Sequence, residues 1–494
     1  MSVSKNYILN IVMTITGILF PMITFPYISR ILMPEYLGKV AFSQSISSYF
    51  ITLSLLGIPI YSIRELSKNK YNQYEFEKVF TELIIIGLVG SLISFVFFQI
   101  MINNFDIFIE HKSLLMIFSV QIFLSFINID YIFIVLENHK RRVIRSLILR
   151  GVSLFLMINF IKKDSDYIIY ACIIIFPELL IKILDFYSVK KYLNFKINYE
   201  IKKHIKPLSI LFLTTISISL YDQIDTTMIG IINGDEAVGL YSSAVKMSRI
   251  LIPIIGALST VIGPQLIYNI KEKNKKEIYK KIDIFLDFNF FIGFQMVFIL
   301  EILSKNIIIF FAGEKYSSAS STMQVLLPII IFISIGSFMG GRILTSNNLE
   351  KIPLRCNLIA LFLNISINFI FIPKYGILGA GISTVITEGI NCILKSLSVK
   401  KLYKDYVILT TDRIKYITIG IIISVLIKNF KENLNSLDNF LVIVITGSIY
   451  ICLYFFILLM FKDKIILKYL EVISEKLKNI KKKYGRSIFD AKQK

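Results

Sequence analysis

The chain has 494 residues, 55% of them hydrophobic, a mean hydropathy of +0.68 and only 18% charged residues. A soluble protein of that length would divide into domains with polar surfaces, whereas apolar runs of about 20 residues recur here from end to end. The formal net charge of +21 lies in the loops between those runs rather than on one soluble domain, so nucleic acid is excluded as a partner and a polytopic membrane protein remains.

The pattern predicts an all-α integral membrane fold of about fourteen transmembrane helices: two six-helix lobes related as parallel repeats, followed by two C-terminal helices. The first lobe, 1–187, holds spans at 7–28, 40–61, 79–101, 113–136, 144–161 and 167–187. The first span is too long for a signal-peptide core and lacks a small-residue cleavage site, so it reads as a retained helix that Pro21 and Pro26 kink near its outer end. A basic cytoplasmic linker covers 188–206. The second lobe, 207–397, holds spans at 208–232, 238–266, 284–303, 322–345, 354–372 and 376–397; the region 398–461 adds spans at 414–427 and 440–461. The tail, 462–494, sets Ile466, Leu470, Ile473, Leu477 and Ile480 among lysines at helical spacing, which predicts a basic amphipathic helix on the inner leaflet.

Lysine and arginine alternate between loops. One set contains Arg64 to Lys78, Lys140 to Arg145, the linker lysines, six lysines between Lys271 and Lys281, and Lys395 to Lys415. The opposite loops are short and hold only scattered cations such as Lys39, Lys112, Lys315 and Lys374. Positive-inside topology then places both termini in the cytoplasm. Cys172, Cys356, Cys392 and Cys452 lie unpaired in apolar spans, and His111, His139 and His204 sit apart, so neither a disulfide framework nor a metal site is predicted.

An internal repeat supports two lobes. Glu35-Tyr36-Leu37-Gly38 recurs 201 residues later as Glu236-Ala237-Val238-Gly239. Six spans separate the copies, an even number, which makes them parallel repeats with a cargo site between halves.

Spans seven and eight carry charge at half depth. Counted from the turn at Asn233 to Glu236, Asp225 lies roughly 12 Å in, Asp222 and Lys246 roughly 15–16 Å, and Arg249 roughly 20 Å. Charges in hydrocarbon are costly, so these must meet a partner or a wet cavity. Two arrangements satisfy that: a ladder pairing Asp225 with Lys246 and Asp222 with Arg249, or a site in which at least one cation is left for an anionic cargo. Further buried carboxylates, Asp130, Glu178 and Glu388, join Asp225 as candidates for ion coupling. The spacing suggests that Glu178, Lys182 and Asp185 satisfy one another on one helix. No nucleotide-binding loop is present, and the short outer loops offer no catalytic constellation, so the chain reads as a carrier rather than an enzyme.

Three segments resemble the polysaccharide-transporter (Wzx-like) lipid-linked oligosaccharide flippases of the multidrug/oligosaccharidyl-lipid/polysaccharide exporter superfamily. They are Phe25-Pro26-Tyr27-Ile28-Ser29-Arg30 continuing to Gly38; Ile224-Asp225-Thr226-Thr227-Met228 with Gly239-Leu240-Tyr241-Ser242-Ser243-Ala244 and Pro264; and Asn364, Asn368 and Ile372-Pro373-Lys374-Tyr375-Gly376 with Gly379-Ala380, ending at Glu388. The resemblance implies that undecaprenyl-diphosphate-linked oligosaccharide is moved by alternating access to the outer leaflet of a bacterial cytoplasmic membrane for surface polysaccharide synthesis. It implies as partners the lipid-linked glycan, membrane lipids and a glycan polymerase or assembly protein. It implies no cofactor, with H+ or Na+ as the coupling ion.

A diphosphate carried past hydrocarbon needs cations. Arg30, Lys246, Arg249 and Arg342 are the substrate-binding candidates, with Arg30 the only one offered by the first half. Asp130, Asp225 and Glu388 are the ion-coupling candidates. The competing reading, a multidrug antiporter of the same superfamily, calls for an acidic, aromatic pocket rather than lysine and arginine.

Overall fold

The computed structural model describes residues 3–195, 198–434, 436–463 and 465–467. It is helical from end to end, with no strand among the described residues. The amphipathic stripe predicted in the tail lies almost wholly outside the described residues. We label as outer the end of the bundle whose loops are poor in lysine and arginine.

The first half runs α1 (Val3–Ile31), α2 (Pro34–Leu55), α3 (Ile58–Lys68), α4 (Gln73–Asn104), α5 (Lys112–Phe123), α6 (Asp130–Val135), α7 (His139–Phe160) and α8 (Tyr167–Val189). Pro34 occupies the first turn of α2, where no backbone donor is needed. Asn72 and Asn138 cap α4 and α7 by accepting from Glu75 N and Arg141 N, each at 3.3 Å. Two expected spans are interrupted. The stretch 40–61 breaks at Leu56 and Gly57, both left-handed, with φ of 48° and 77°. A Cβ on Gly57 would lie 2.9 Å from Leu211 Cβ, so the break lets two backbones approach. The stretch 113–136 breaks between α5 and α6 at a 3-10 turn, Leu124–Ile127, followed by non-helical Asn128.

The second half runs α9 (Lys202–Asn233), α10 (Asp235–Arg249), α11 (Ile252–Lys271), α12 (Lys275–Phe288), α13 (Phe294–Ala312), α14 (Ala319–Leu326), α15 (Ile329–Ser337), α16 (Lys351–Leu402), α17 (Thr411–Glu432) and α18 (Asn439–Met460). The predicted span 238–266 is two helices: α10 ends at Arg249, and α11 starts with Pro253 in its first turn, where no backbone donor is needed. Short π-helical turns join α12 to α13 and follow α15, at Asn289–Gly293 and Phe338–Leu344. The 52-residue α16 reverses at Gly376, φ 57°, and its limbs touch through Ser383 Oγ donating to Asn368 Oδ1. It therefore supplies two spans. Eleven helices among the described residues are long and apolar enough to cross a membrane; α16 crossing twice makes twelve, and α1 and α17, of 29 and 22 residues, make the arrangement consistent with fourteen.

In lipid, helix association depends on close packing and polar contacts rather than on apolar burial from water. Between the halves this is literal: Gly38 of α2 and Gly239 of α10 bring the two backbones together at the outer end. A Cβ on Gly38 would fall 1.8 Å from Asp235 O, and one on Gly239 would fall 1.9 Å from Pro34 O. Each contact is the other shifted by the 201-residue repeat, so the two copies of the motif meet across a local two-fold axis. The α17–α18 pair is fastened to the second lobe. Buried Arg413 donates to Asp283 at 2.8 Å and Asp287 at 2.7 Å, and Tyr450 donates to Gln295 at 2.7 Å.

Candidate functional site

The outer seam closes one end of the space between the lobes. Around the glycine pair, His111 Nε2 lies 2.8 Å from Asp235 Oδ1, Ser29 donates to Phe311 O at 3.1 Å, and Tyr316 donates to Leu32 O at 3.0 Å. Arg30 joins this seam: its Nη2 donates to Phe310 O at 2.8 Å, which occupies it at the outer edge rather than at half depth.

Inward of the seam, α2, α3 and α9 line a partly open cavity of about 330 Å³; Ser48, Thr52, Thr215, Ser219, Asp222 and Gln223 face it beside Leu55, Pro59, Ile60 and Ile218. Asp222 meets Arg249 Nη1 at 3.8 Å, the last residue of α10 before the chain turns. One rung of the expected ladder is thus present, though long and half-exposed. The other is not. Lys246 makes no ion pair with Asp225; its Nζ stands 4.5 Å from the Phe25 ring centroid, exposed along the seam between α10 and α1. Residues three apart on a helix diverge by about 60°, and that angle sends Asp222 toward the cavity and Asp225 into the second lobe. Arg249 Nε is buried without a partner. Arg342 lies in the π-helical turn after α15, over Gly263 of α11 and 3.4 Å from Ser259 Oγ.

The reading that the first half offers Arg30 alone is corrected by Arg150. It sits about 17 Å along α7 by helical rise, half-buried, with Nη1 donating to Thr16 Oγ1 of α1 at 2.6 Å. A cation inside the predicted span 144–161 was the available signal.

Asp225 is 7% exposed and receives three donors, two from the two limbs of α16 and one from α10: Asn368 Nδ2 at 2.6 Å, Thr384 Oγ1 at 2.6 Å and Tyr241 OH at 2.8 Å. Asn368 also donates to Asn364 Oδ1 at 3.1 Å. Every contact is neutral, so this carboxylate is held without a countercharge. Glu388 lies one turn further along the same limb of α16, buried beside Tyr221. Lys395, which sequence assigns to a cytoplasmic loop, is instead inside the lobe on that same face. Its place seven residues from Glu388, two turns along one helix, was the signal that could have found it.

Asp130 has a different setting. Arg142 Nη2 stands 2.8 Å from Oδ2 and Arg145 Nη2 2.5 Å from Oδ1, while Arg145 also pairs with Asp185. The expected trio is therefore corrected. Lys182 pairs with Glu178 at 2.8 Å, and Asp185 turns to the arginines of α7, because the packed neighbour offers a guanidinium where its own helix offers only one lysine. The linker is anchored similarly: Lys78 and Lys203 hold the Glu200 carboxyl below the usual carboxylate range.

Two lobes of membrane-spanning helices, related by a repeat and flanking a cavity that carries hydroxyls and a carboxylate and is closed at one end, define a transporter of the alternating-access type. The chain belongs to the polysaccharide biosynthesis protein family, whose model matches residues 3–267; the MatE family model matches residues 211–370. The capsular polysaccharide biosynthesis protein CapF of Staphylococcus aureus is 24% identical over 79% of this chain and 97% of its own. A putative O-antigen transporter of Escherichia coli K12 is 22% identical over 80% and 96%. Among solved structures, lipid II flippase MurJ in an inward closed conformation superposes with a TM-score of 0.63, at 20% identity, over 91% of this chain and all of its own.

Proposed function

We propose that this protein is a flippase that moves undecaprenyl-diphosphate-linked oligosaccharide from the cytoplasmic to the outer leaflet of a bacterial cytoplasmic membrane, for surface polysaccharide synthesis. The observation that carries the reading is a pair of half-depth cations beneath a closed outer seam: Arg249, which reaches the inter-lobe cavity through Asp222, and Lys246, which stands over Phe25 of α1. Lys246 makes no ion pair, Arg249 makes only a long one to Asp222, and both suit a diphosphate. Opening of the Gly38–Gly239 seam would expose the cargo site outward. The family and the relatives named for capsule and O-antigen transport support a glycan cargo over the cationic drugs of an antiporter, for which lysine and arginine are the wrong charge.

Both termini face the cytoplasm in this reading, and a glycan polymerase or assembly protein receives the cargo outside. Asp225 and Glu388 are the groups we assign to coupling by H+ or Na+; Asp130 is set aside because two arginines neutralise it. The test is a strain lacking the gene. Lipid-linked glycan should accumulate in the inner leaflet and surface glycan should disappear, both reversed by the wild-type chain. Normal surface glycan with altered drug resistance would favour the antiporter instead. Impermeant cysteine labelling in intact cells should modify position 315 and spare position 276; the reverse would invert the topology.

A further inference from the structure

A second, smaller cavity of about 130 Å³ lies inside the second lobe, between α9, α15 and α16, and Tyr221, Asn357, Glu388, Asn391 and Lys395 present polar groups to it. Glu388 and Lys395 are 7% and 8% exposed. They occupy one face of the second limb of α16, two turns apart, and neither makes an ion pair within 4.0 Å. Asn391 donates to Asn357 Oδ1 at 3.3 Å and leaves its own Oδ1 buried and unpartnered.

Two opposite charges buried without contact need something between them, since an unsolvated charge is strongly disfavoured. The cavity is polar and roomy enough for a few bridging waters. The groups that share the cavity with Glu388 are Tyr221 from α9 and Lys395 with Cys392 from α16, and the charges of Asp222 on α9 and Arg249 on α10 act on it from outside the lining; α15 contributes Phe332, Ile333, Gly336 and Ser337 and no charge. A sodium ion at Glu388 would sit in the field of two cations, and only one further carboxylate would offset them. A proton meets the same field, but it is held by a covalent bond and needs no shell of oxygen ligands, and the hydroxyl it creates is a donor in a cavity that holds an orphan acceptor. Asp225 differs on every count, being filled by neutral donors with no lysine or arginine against it.

We infer that Glu388, Lys395 and the cavity between them form a proton-exchange site, in which Lys395 is a positioning residue that excludes metal cations. The proton passes from cavity water to a Glu388 oxygen and back, with no other bond made or broken. This deepens the coupling part of the proposed function by naming the ion at one of its two candidate groups.

The test uses the full chain in lipid vesicles, with a fluorophore pair at positions 39 and 236 reporting closure of the outer seam. No glycan cargo is needed. All measurements use an Asp225→Asn background, which silences the other coupling candidate; with Glu388 and Lys395 wild type, the seam should respond to pH and ignore sodium at constant ionic strength. Glu388→Gln should lose the pH response. Lys395→Met should give a seam that sodium shifts, with an apparent sodium affinity raised by about tenfold or more over that background, whereas Lys395→Arg should stay insensitive to sodium. A pH response that survives Glu388→Gln, or a Lys395→Met protein as blind to sodium as the background, overturns the inference. Lipid-linked glycan flipping measured on vesicles of the chain with Asp225 restored separates the two proposals: absence of flipping alongside the stated pH and sodium behaviour refutes the flippase reading and leaves this site standing.

Discussion

The two lobes share a repeat but treat their charges differently. In the first, most carboxylates have cations at close range: Asp130 and Asp185 with Arg142 and Arg145 of α7, Glu178 with Lys182 on its own helix, and Glu82 with Lys203 and His204 at the linker end of α9. In the second, Asp225 is held by neutral donors, Lys246 rests on an aromatic ring, and Glu388 and Lys395 face each other across a cavity. Matched charges fix a lobe as a rigid body. Charges without close partners keep their interaction energy for something that arrives, which marks the second lobe as the one that meets cargo and ion.

That contrast can be broken most severely in the first lobe. Arg145→Ala removes the guanidinium shared by Asp130 and Asp185 and leaves Asp185, which is nearly inaccessible, facing only Arg141 at 3.9 Å. Stranding a buried charge costs about 3–5 kcal/mol, so membrane abundance should fall sharply, and adding Asp185→Asn should recover much of it. Normal abundance of the single variant would mean that the cluster does not hold the lobe.

At the seam, Gly239→Val places carbon atoms where Pro34 O now lies. Overpacking of this kind costs about 1–3 kcal/mol, charged only to the closed state. Abundance should hold while surface glycan falls, and cross-linking between positions 39 and 236 should weaken. Unchanged cross-linking would show that the seam yields elsewhere.

In the second lobe, Lys246→Ala should leave the protein folded and lower cargo affinity by about ten- to a hundredfold, the value of one charge-assisted phosphate contact at roughly 1.5–3 kcal/mol. Binding of a soluble diphosphate analogue to purified protein measures it. A variant with wild-type affinity would return Lys246 to a packing role.

The smallest effect belongs to Asp222→Asn. Its partner Arg249 is 3.8 Å away and both are partly exposed, so stability should change by less than about 1 kcal/mol. Combined with Arg249→Ala, it should fail to restore the export lost through the arginine. Rescue by the double variant would make the pair a structural rung after all.

The sequence by itself determined the membrane class, the number of spans it predicts, the repeat and the alternation of basic loops. Lipid permits few solutions: each span must satisfy its own backbone and hide its side chains at fixed length. It also placed the chain breaks at Gly234 and Gly376, where glycine takes φ of 82° and 57°. What only the tertiary structure decided was direction. Asp222 and Asp225 look equivalent in a linear pattern, yet a 60° divergence puts one in the cavity and the other among Asn368, Thr384 and Tyr241. Lys395 belongs by position to a basic loop and by packing to a buried cavity, and Arg150 passes unnoticed until α1 supplies Thr16. Gly38 and Gly239 are two halves of a sequence match until the fold lays one backbone on the other. A helix period fixes which residues share a face; only the neighbouring helices decide what that face meets.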